Sequence, residues 1–250
     1  MRISILGIIF VVFSLSVLAQ SVTKPITISL TVPADIIVTS PDGKRFGYDQ
    51  VQKKNLTEIK GAEVNNLPGR EPSLRIPTGN SLKPMTITIT GRDEGTVANL
   101  SITGVRFSIN MKDMPVNVGA VVTIRVMSDG RSLEYSSNSI TAAPKFVLAS
   151  DPEDTKRSSY VFSIASRLVA AKTVVKIEHK LNDIFVFGDN AKAISEYDVS
   201  VLQIKADGTE NNFNATKLQA KKANHFELDL TKWNGKSGEC LRSDNKICRI

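Results

Sequence analysis

A two-residue alternation of apolar and polar side chains runs through almost the whole 250-residue chain and limits the fold more than any other feature. In the segment 21–32, one parity holds Ser, Thr and Pro. The apolar residues of the other parity are Val22, Ile26, Ile28, Leu30 and Val32. Successive side chains of a strand point to opposite faces of a sheet, so this segment is predicted to be a strand with one apolar face.

Further alternating runs follow, and turn signals separate them. The clearest are 85–90, 100–102, 105–109, 121–126, 160–164, 173–177, 184–187, 197–204 and 226–230. Asp129-Gly130 lies between two such runs and predicts a hairpin, because Asp-Gly favours the turn whose twist matches the flanking strands. Many short strands separated by turns are typical of an all-β sandwich.

A polar, charged segment at 149–158 divides the alternating runs into two groups. It is either a linker between two domains or a long loop across one sandwich, since a typical domain holds about 100 to 150 residues. We therefore expect a β-sandwich at 34–150. Residues 151–250 would form a second β domain or a C-terminal β region that enlarges the first.

Residues 1–19 have the order of a secretory signal peptide. Arg2 precedes an apolar core, and Val17-Leu18-Ala19 suits signal peptidase. We expect cleavage there and an exported mature chain that begins near Gln20. The alternative is a retained N-terminal anchor.

Cys240 and Cys248 are the two cysteines of the chain. In an exported protein they are expected to form one disulfide that closes a small C-terminal loop. A ring of this size is worth about 2 to 3 kcal/mol, so it would fix the tail more than hold the fold. The histidines His179 and His225 lack zinc-ligand spacing, and no metal or other cofactor is predicted.

Charge and motifs argue against several functional classes. The formal charge of +7 is spread along the chain and aromatic residues make up 6%, so nucleic-acid binding is not predicted. No Gly-x-Ser-x-Gly motif occurs, and we predict no catalytic residues and no enzyme. His225, Glu227 and Asp229 share one parity, which is read as the solvated side of an amphipathic strand.

The start of the predicted mature chain resembles a known family. The pattern is Val22-x-Lys24-x-Ile26-Thr27, then Val32 and Ile36, then the Asp42-Gly43 turn, with an echo in Lys44-Arg45-Phe46-Gly47-Tyr48. It is similar to the mature N-terminus of alpha-class fimbrial pilins, the colonization-factor and cable-pilus type subunits of the alternate chaperone-usher pathway. The resemblance is confined to the N-terminal region of the mature chain.

The resemblance implies an immunoglobulin-like β-sandwich that lacks one strand, which the N-terminal extension of the next subunit supplies. Segment 20–33 would be this donor strand, and its groove-filling side chains would be Val22, Ile26, Ile28, Leu30 and Val32. The implied partners are neighbouring fimbrial subunits, a periplasmic chaperone, an outer-membrane usher and, for an adhesive subunit, a host receptor. The chain would be secreted, cross the periplasm and end at the cell surface or in the fimbrium.

Two functional hypotheses follow. In the first, the chain is a structural subunit of a fimbria, major, minor or adhesive, which donates its N-terminal strand to a neighbour. In the second, the same segment is the first strand of its own sandwich. The chain is then a secreted or periplasmic immunoglobulin-like binding module that recognises a glycan or a protein through loops.

Overall fold

The computed structural model describes residues 24–32, 34–66, 72–78, 83–139, 144–166, 172–180, 183–191, 195–220, 225–231, 233, 241–243 and 246–247. These residues form strands, turns and irregular segments, and none of them lies in a helix. Within this described part of the chain, nothing forms a helix long and apolar enough to cross a membrane.

The described residues form twenty strands. They are β1 (Lys24–Leu30), β2 (Ala34–Thr39), β3 (Arg45–Asp49), β4 (Lys54–Thr57), β5 (Glu63–Asn65), β6 (Ser73–Thr78), β7 (Met85–Gly91), β8 (Val97–Gly104), β9 (Phe107–Pro115), β10 (Val121–Val126), β11 (Ser132–Ser137), β12 (Lys145–Ser150), β13 (Ser159–Ser166), β14 (Val175–Lys180), β15 (Ile184–Asp189), β16 (Ser195–Ile204), β17 (Glu210–Ala220), β18 (His225–Asp229), β19 (Leu241–Ser243) and β20 (Lys246–Ile247).

The strands form two antiparallel sheets. The nine-stranded sheet has the order β17-β16-β13-β12-β9-β8-β1-β6-β5, and the eleven-stranded sheet has the order β20-β19-β18-β15-β14-β11-β10-β7-β2-β3-β4. The two-sheet arrangement confirms the predicted all-β sandwich. The immunoglobulin-like detail stays a prediction.

One hydrophobic core fills the space between the sheets. Strand β7 illustrates its origin, because Met85, Ile87 and Ile89 are buried while Thr86 and Thr88 between them are partly exposed. Each strand with this alternation turns its apolar residues toward the other sheet. Buried residues from β1 through β18 therefore belong to a single cluster.

Both sheets run without a break past the polar segment 149–158. Strand β12 pairs with β9 on one side and with β13 on the other, and β14 pairs with β11. We call the two pairings β9–β12 and β11–β14 the seam. Because the seam joins earlier strands to later ones in each sheet, the segment 151–158 is the loop between β12 and β13.

The predicted hairpin is present at its turn. At Asp129-Gly130, the backbone N–H of Gly130 donates to the Met127 carbonyl at 2.9 Å, and β10 pairs with β11.

On β18, Phe226 and Leu228 are buried and His225 is exposed, which confirms that His225, Glu227 and Asp229 lie on the outer side of that strand.

Candidate functional site

Strand β1 lies inside the nine-stranded sheet of its own chain. It pairs antiparallel with β6 from Lys24 to Ser29 and with β8 from Thr27 to Leu30. Ile28 is fully buried and 0% exposed. Full burial of such a side chain contributes about 1.5 to 3 kcal/mol, so β1 is an integral part of the core.

The sequence-predicted donor residues fall into two groups. Ile26, Ile28 and Leu30 are buried between the sheets, and Val32 is partly buried against the same core. Val22 and residues 1–19, the predicted signal peptide, lie outside the described residues. Pro25 faces Pro77 of β6, before the pairing with β8 begins at Thr27, so its missing N–H interrupts no bond to β8.

Donation of β1 to another molecule would require it to leave a position that is paired on both sides. The arrangement of this chain is the intramolecular one, with β6 and β8 as neighbours of β1. The donor role therefore stays a prediction and would need an exchange of β1 between chains. Cys240 and Cys248 also lie outside the described residues.

One end of the sandwich carries a pocket of about 480 Å³. It is lined by the start of β1, the end of β6, the turns β8–β9 and β10–β11, the loop β12–β13 and the β14–β15 connection. We call it the end pocket. Its lining residues are 24–26, 78, 104–107, 128–131, 148–154, 157–158, 179–180, 183 and 185.

Two glycines let the hairpin turns close on the same aromatic ring. A Cβ on Gly104 would lie 2.1 Å from Cε1 of Phe107, and a Cβ on Gly130 would lie 2.2 Å from its Cγ. Gly130 also has a φ of +72°, a left-handed conformation that favours glycine. The Phe107 ring thus forms a wall of the end pocket where these two turns meet.

The loop between β12 and β13 is held in place by hydrogen bonds to its neighbours. Arg106 donates from Nη1 to the Pro152 carbonyl at 2.6 Å, and the Asp151 N–H donates to the Arg106 carbonyl at 2.9 Å. The Ser159 hydroxyl donates to Asp151 at 2.8 Å. These bonds organise this side of the pocket without a ligand.

The end pocket is lined by many charged residues, and positive and negative side chains are equal in number. Five lining residues are Lys or Arg and five are Asp or Glu. The ion pairs are Lys24–Glu153 at 3.2 Å, Arg106–Asp151 at 3.6 Å, Arg131–Asp129 at 3.7 Å and Arg157–Asp183 at 2.7 Å. Since the two signs cancel, the pocket offers many hydrogen-bonding groups and no net charge.

His179 lies at the inner side of this pocket, at the end of β14. Its ring stacks on Phe185 with centroids 4.2 Å apart and an interplanar angle of 5°. Burial lowers the pKa of His179 from 6.5 to about 4, although the nearby Asp183 carboxylate opposes the shift. The imidazole is therefore neutral at physiological pH.

Ser150 and Asp183 flank this histidine. The Ser150 hydroxyl lies 3.2 Å from Nδ1, and an Asp183 oxygen lies 3.9 Å from Nε2. The buried Nε2 has no hydrogen-bond partner among the described residues. A histidine with so low a pKa is a weak base, and Asp183 already accepts a bond from Arg157 at 2.7 Å. The arrangement suits ligand binding better than proton abstraction.

Sequence reasoning did not find the end pocket. Its residues come from six segments between Lys24 and Phe185, and each segment alone has the appearance of an ordinary turn or strand end. The one local signal was His179, which shares the parity of the buried Val175 and Ile177 and so occupies an apolar face.

A second depression, of about 770 Å³, lies on the outer face of the nine-stranded sheet. Ser and Asn side chains on neighbouring strands face one another there, as in the pairs Ser29–Ser101 and Ser101–Asn110. Lys112 is the charged residue of its lining.

The part of the chain that the structure describes contains no group of three or more His, Cys, Asp or Glu side chains that could hold a metal ion.

Comparisons with protein-family models, with curated proteins and with solved structures found no match to this chain. The similarity to alpha-class pilins accordingly stays a prediction from the N-terminal residues.

Proposed function

We propose that this chain is an exported β-sandwich binding protein that holds a neutral glycan in the end pocket. The observation that carries the proposal is the meeting of six chain segments around a charge-balanced pocket with an apolar floor. Export rests on the signal-peptide pattern of residues 1–19.

The size and lining of the pocket support a small-molecule or glycan-end ligand. A volume of about 480 Å³ lies within the range of ligand sites, which is roughly 300 to 1,000 Å³. Val105 is exposed and Pro25 and Pro152 are partly exposed, and these three lining residues supply apolar surface. The C–H face of a sugar ring can pack on such surface while its hydroxyl groups reach the polar rim.

The balance of charge supports an uncharged ligand. Sugar hydroxyls both donate and accept hydrogen bonds, and so they match a rim that alternates guanidinium donors with carboxylate acceptors. The Lys24–Glu153 and Arg131–Asp129 pairs are largely exposed, and such pairs are worth about 0 to 1 kcal/mol. A ligand can share their hydrogen bonds at little cost.

The same geometry favours the binding-module hypothesis over the fimbrial one. A donor subunit needs its N-terminal strand available to a neighbour, whereas β1 pairs with β6 and β8 of its own chain. A binding module needs only an intact sandwich that presents loops at one end.

Binding to an array of neutral and acidic glycans tests the proposal, with the full exported chain as the probe. Asp129→Asn and Glu153→Gln keep side-chain size and remove a charged acceptor from the rim. We expect neutral glycans to bind and the double variant to lose at least about tenfold in affinity, since even one hydrogen bond to a charged group contributes about 1.5 to 3 kcal/mol and about 1.4 kcal/mol is a factor of ten.

Asp42→Asn is the matched control, because Asp42 lies in the β2–β3 turn outside the pocket. It should leave affinity unchanged. The proposal fails if no glycan binds, if acidic glycans alone bind, or if the pocket variants bind as tightly as the control.

A further inference from the structure

Strand β17 is an edge strand of unusual length. It spans Glu210–Ala220, eleven residues, and ends the nine-stranded sheet. The other sheet edges are β5 with three residues, β4 with four and β20 with two. Long edges offer unpaired backbone groups to other chains, so proteins usually keep them short or charged.

The backbone groups that β17 leaves unpaired follow from its register. The Lys205 N–H donates to the Thr209 carbonyl at 2.9 Å, which marks 205 and 209 as a hydrogen-bonded pair. Bonded and non-bonded pairs alternate in an antiparallel ladder. Residues 211, 213 and 215 therefore bond to β16, while the N–H and C=O groups of Glu210, Asn212 and Asn214 point away from the sheet.

This open stretch is also uncharged. Residues 211–216 carry no ionisable side chain, and a β-bulge follows at the pairing of Tyr197 and Val199, where Lys217 adopts a φ of +57°. Phe213 and Ala215 are buried, so the strand is fixed to the core. Among the described residues, β16 is the one strand that pairs with β17.

We propose that β17 pairs antiparallel with β17 of a second copy of this chain. A twofold axis perpendicular to the sheet places each even-numbered residue of one β17 opposite an even-numbered residue of the other. The outward-pointing backbone N–H and C=O groups of the two copies therefore meet. The two nine-stranded sheets become one continuous sheet. Both buried faces stay on the same side.

The side chains of this edge fit an identical partner. Asn212 and Asn214 are exposed on the outer face of the sheet. Antiparallel pairing centred on Phe213 places Asn212 of one copy opposite Asn214 of the other. An amide side chain both donates and accepts hydrogen bonds, so Asn opposite Asn is self-complementary. No like charges oppose each other over 211–216, which cross-strand pairing requires.

Substitutions of Asn212 test the pairing. Asn212→Pro removes an outward N–H but no bond to β16, so the chain should still fold. Asn212→Lys is a second variant that places a charge at the same point. Sedimentation velocity over a concentration series should show a dimer of the full chain whose dissociation constant rises about tenfold or more in both variants.

Asn55→Pro and Asn55→Lys are matched controls on the β4 edge of the other sheet. The Glu58 N–H donates to the Arg45 carbonyl at 2.9 Å, which by the same alternation makes Asn55 an outward-pointing position. Both controls should dimerise like the unchanged chain. Hydrogen exchange at the amides of Asn212 and Asn214 should slow as protein concentration rises.

The proposal is overturned by a chain that stays monomeric at all concentrations, or by a dimer that the Asn212 variants leave intact. It is also overturned if the Asn55 controls weaken the dimer equally, or if the two amides exchange at the same rate at low and high concentration.

Discussion

His179 is the buried titratable side chain of the end pocket. Its pKa is lowered to about 4 by burial, whereas the unfolded chain has the ordinary value of 6.5. Between these two values the unfolded state binds a proton that the folded state does not. The contribution of His179 to the free energy of unfolding therefore falls by about 3 kcal/mol as the pH decreases from 6.5 to 4.

Replacement of this histidine removes that contribution. In His179→Phe, the loss of unfolding free energy between pH 6.5 and pH 4 should be about 3 kcal/mol smaller than in the unchanged chain. Urea denaturation at several pH values measures it. His225→Gln, at an exposed position on β18, is the control. If the unfolding free energy changed equally with pH in the unchanged chain and in both variants, the burial of a neutral His179 would be contradicted.

Asp35 and Arg92 form an ion pair at the opposite end of the sandwich. Arg92 donates from Nε to Asp35 at 3.0 Å, and the Asp35 side chain is 3% exposed. Arg92→Gln leaves this carboxylate buried without a charged partner. We expect a loss of about 3 kcal/mol or more in unfolding free energy, measured by chemical denaturation.

The exposed pair Arg75–Glu63, at 2.9 Å, supplies the comparison. Arg75→Gln should cost less than about 1 kcal/mol, because exposed ion pairs contribute little. Similar losses in the two variants would show that burial of Asp35 does not matter.

At the scale of elements, β1 separates the two hypotheses about the N-terminus. Its removal, by deletion of residues 20–33, takes the strand between β6 and β8 out of the sheet and leaves the edges of both without a pairing partner. We expect the shortened chain to lose its near-ultraviolet circular dichroism and its cooperative unfolding. A synthetic peptide of residues 20–33 should restore part of both signals.

A strand-donating subunit predicts a different outcome. Protected by its chaperone, the shortened chain would keep a folded sandwich and lose only the ability to assemble. A shortened chain that folds cooperatively by itself would show that β1 is dispensable to its own sheet.

The alternation of side chains was enough to predict the sandwich and many of its strands, but the runs it identified did not include β3 to β6, β12 or β17. On β7 and β18 it also separated the buried residues from the exposed ones, because a strand with one apolar face has one way to lie on a core. The Asp129-Gly130 turn was predicted from two residues because its backbone conformation is local.

The end pocket could not be predicted in this way. It depends on which turns meet at one end, and that is set by strand order, such as the pairing of β12 with β9 and of β14 with β11. Pairings between distant segments leave no periodic signal. The parity of β1 likewise identified its apolar face but not the molecule in which that face is buried.

At the scale of the whole molecule, one continuous sandwich gives its two ends and its edges different properties. The seam brings the loop 151–158 beside the turns 105–106 and 128–131, and these segments form the end pocket. The β17 edge belongs to a different part of the surface, since none of its residues lines that pocket. Ligand binding and pairing of two copies can therefore occur together.

Glycan binding in the end pocket is best tested by titration of the isotope-labelled full chain with a neutral glycan from the array, followed by nuclear magnetic resonance. Binding there should produce saturable shifts of the backbone amides at 104–107, 128–131 and 151–158, and none at the β7–β8 turn 92–96 of the opposite end. Shifts that map to the outer face of the nine-stranded sheet, or their absence at saturating glycan, would contradict it.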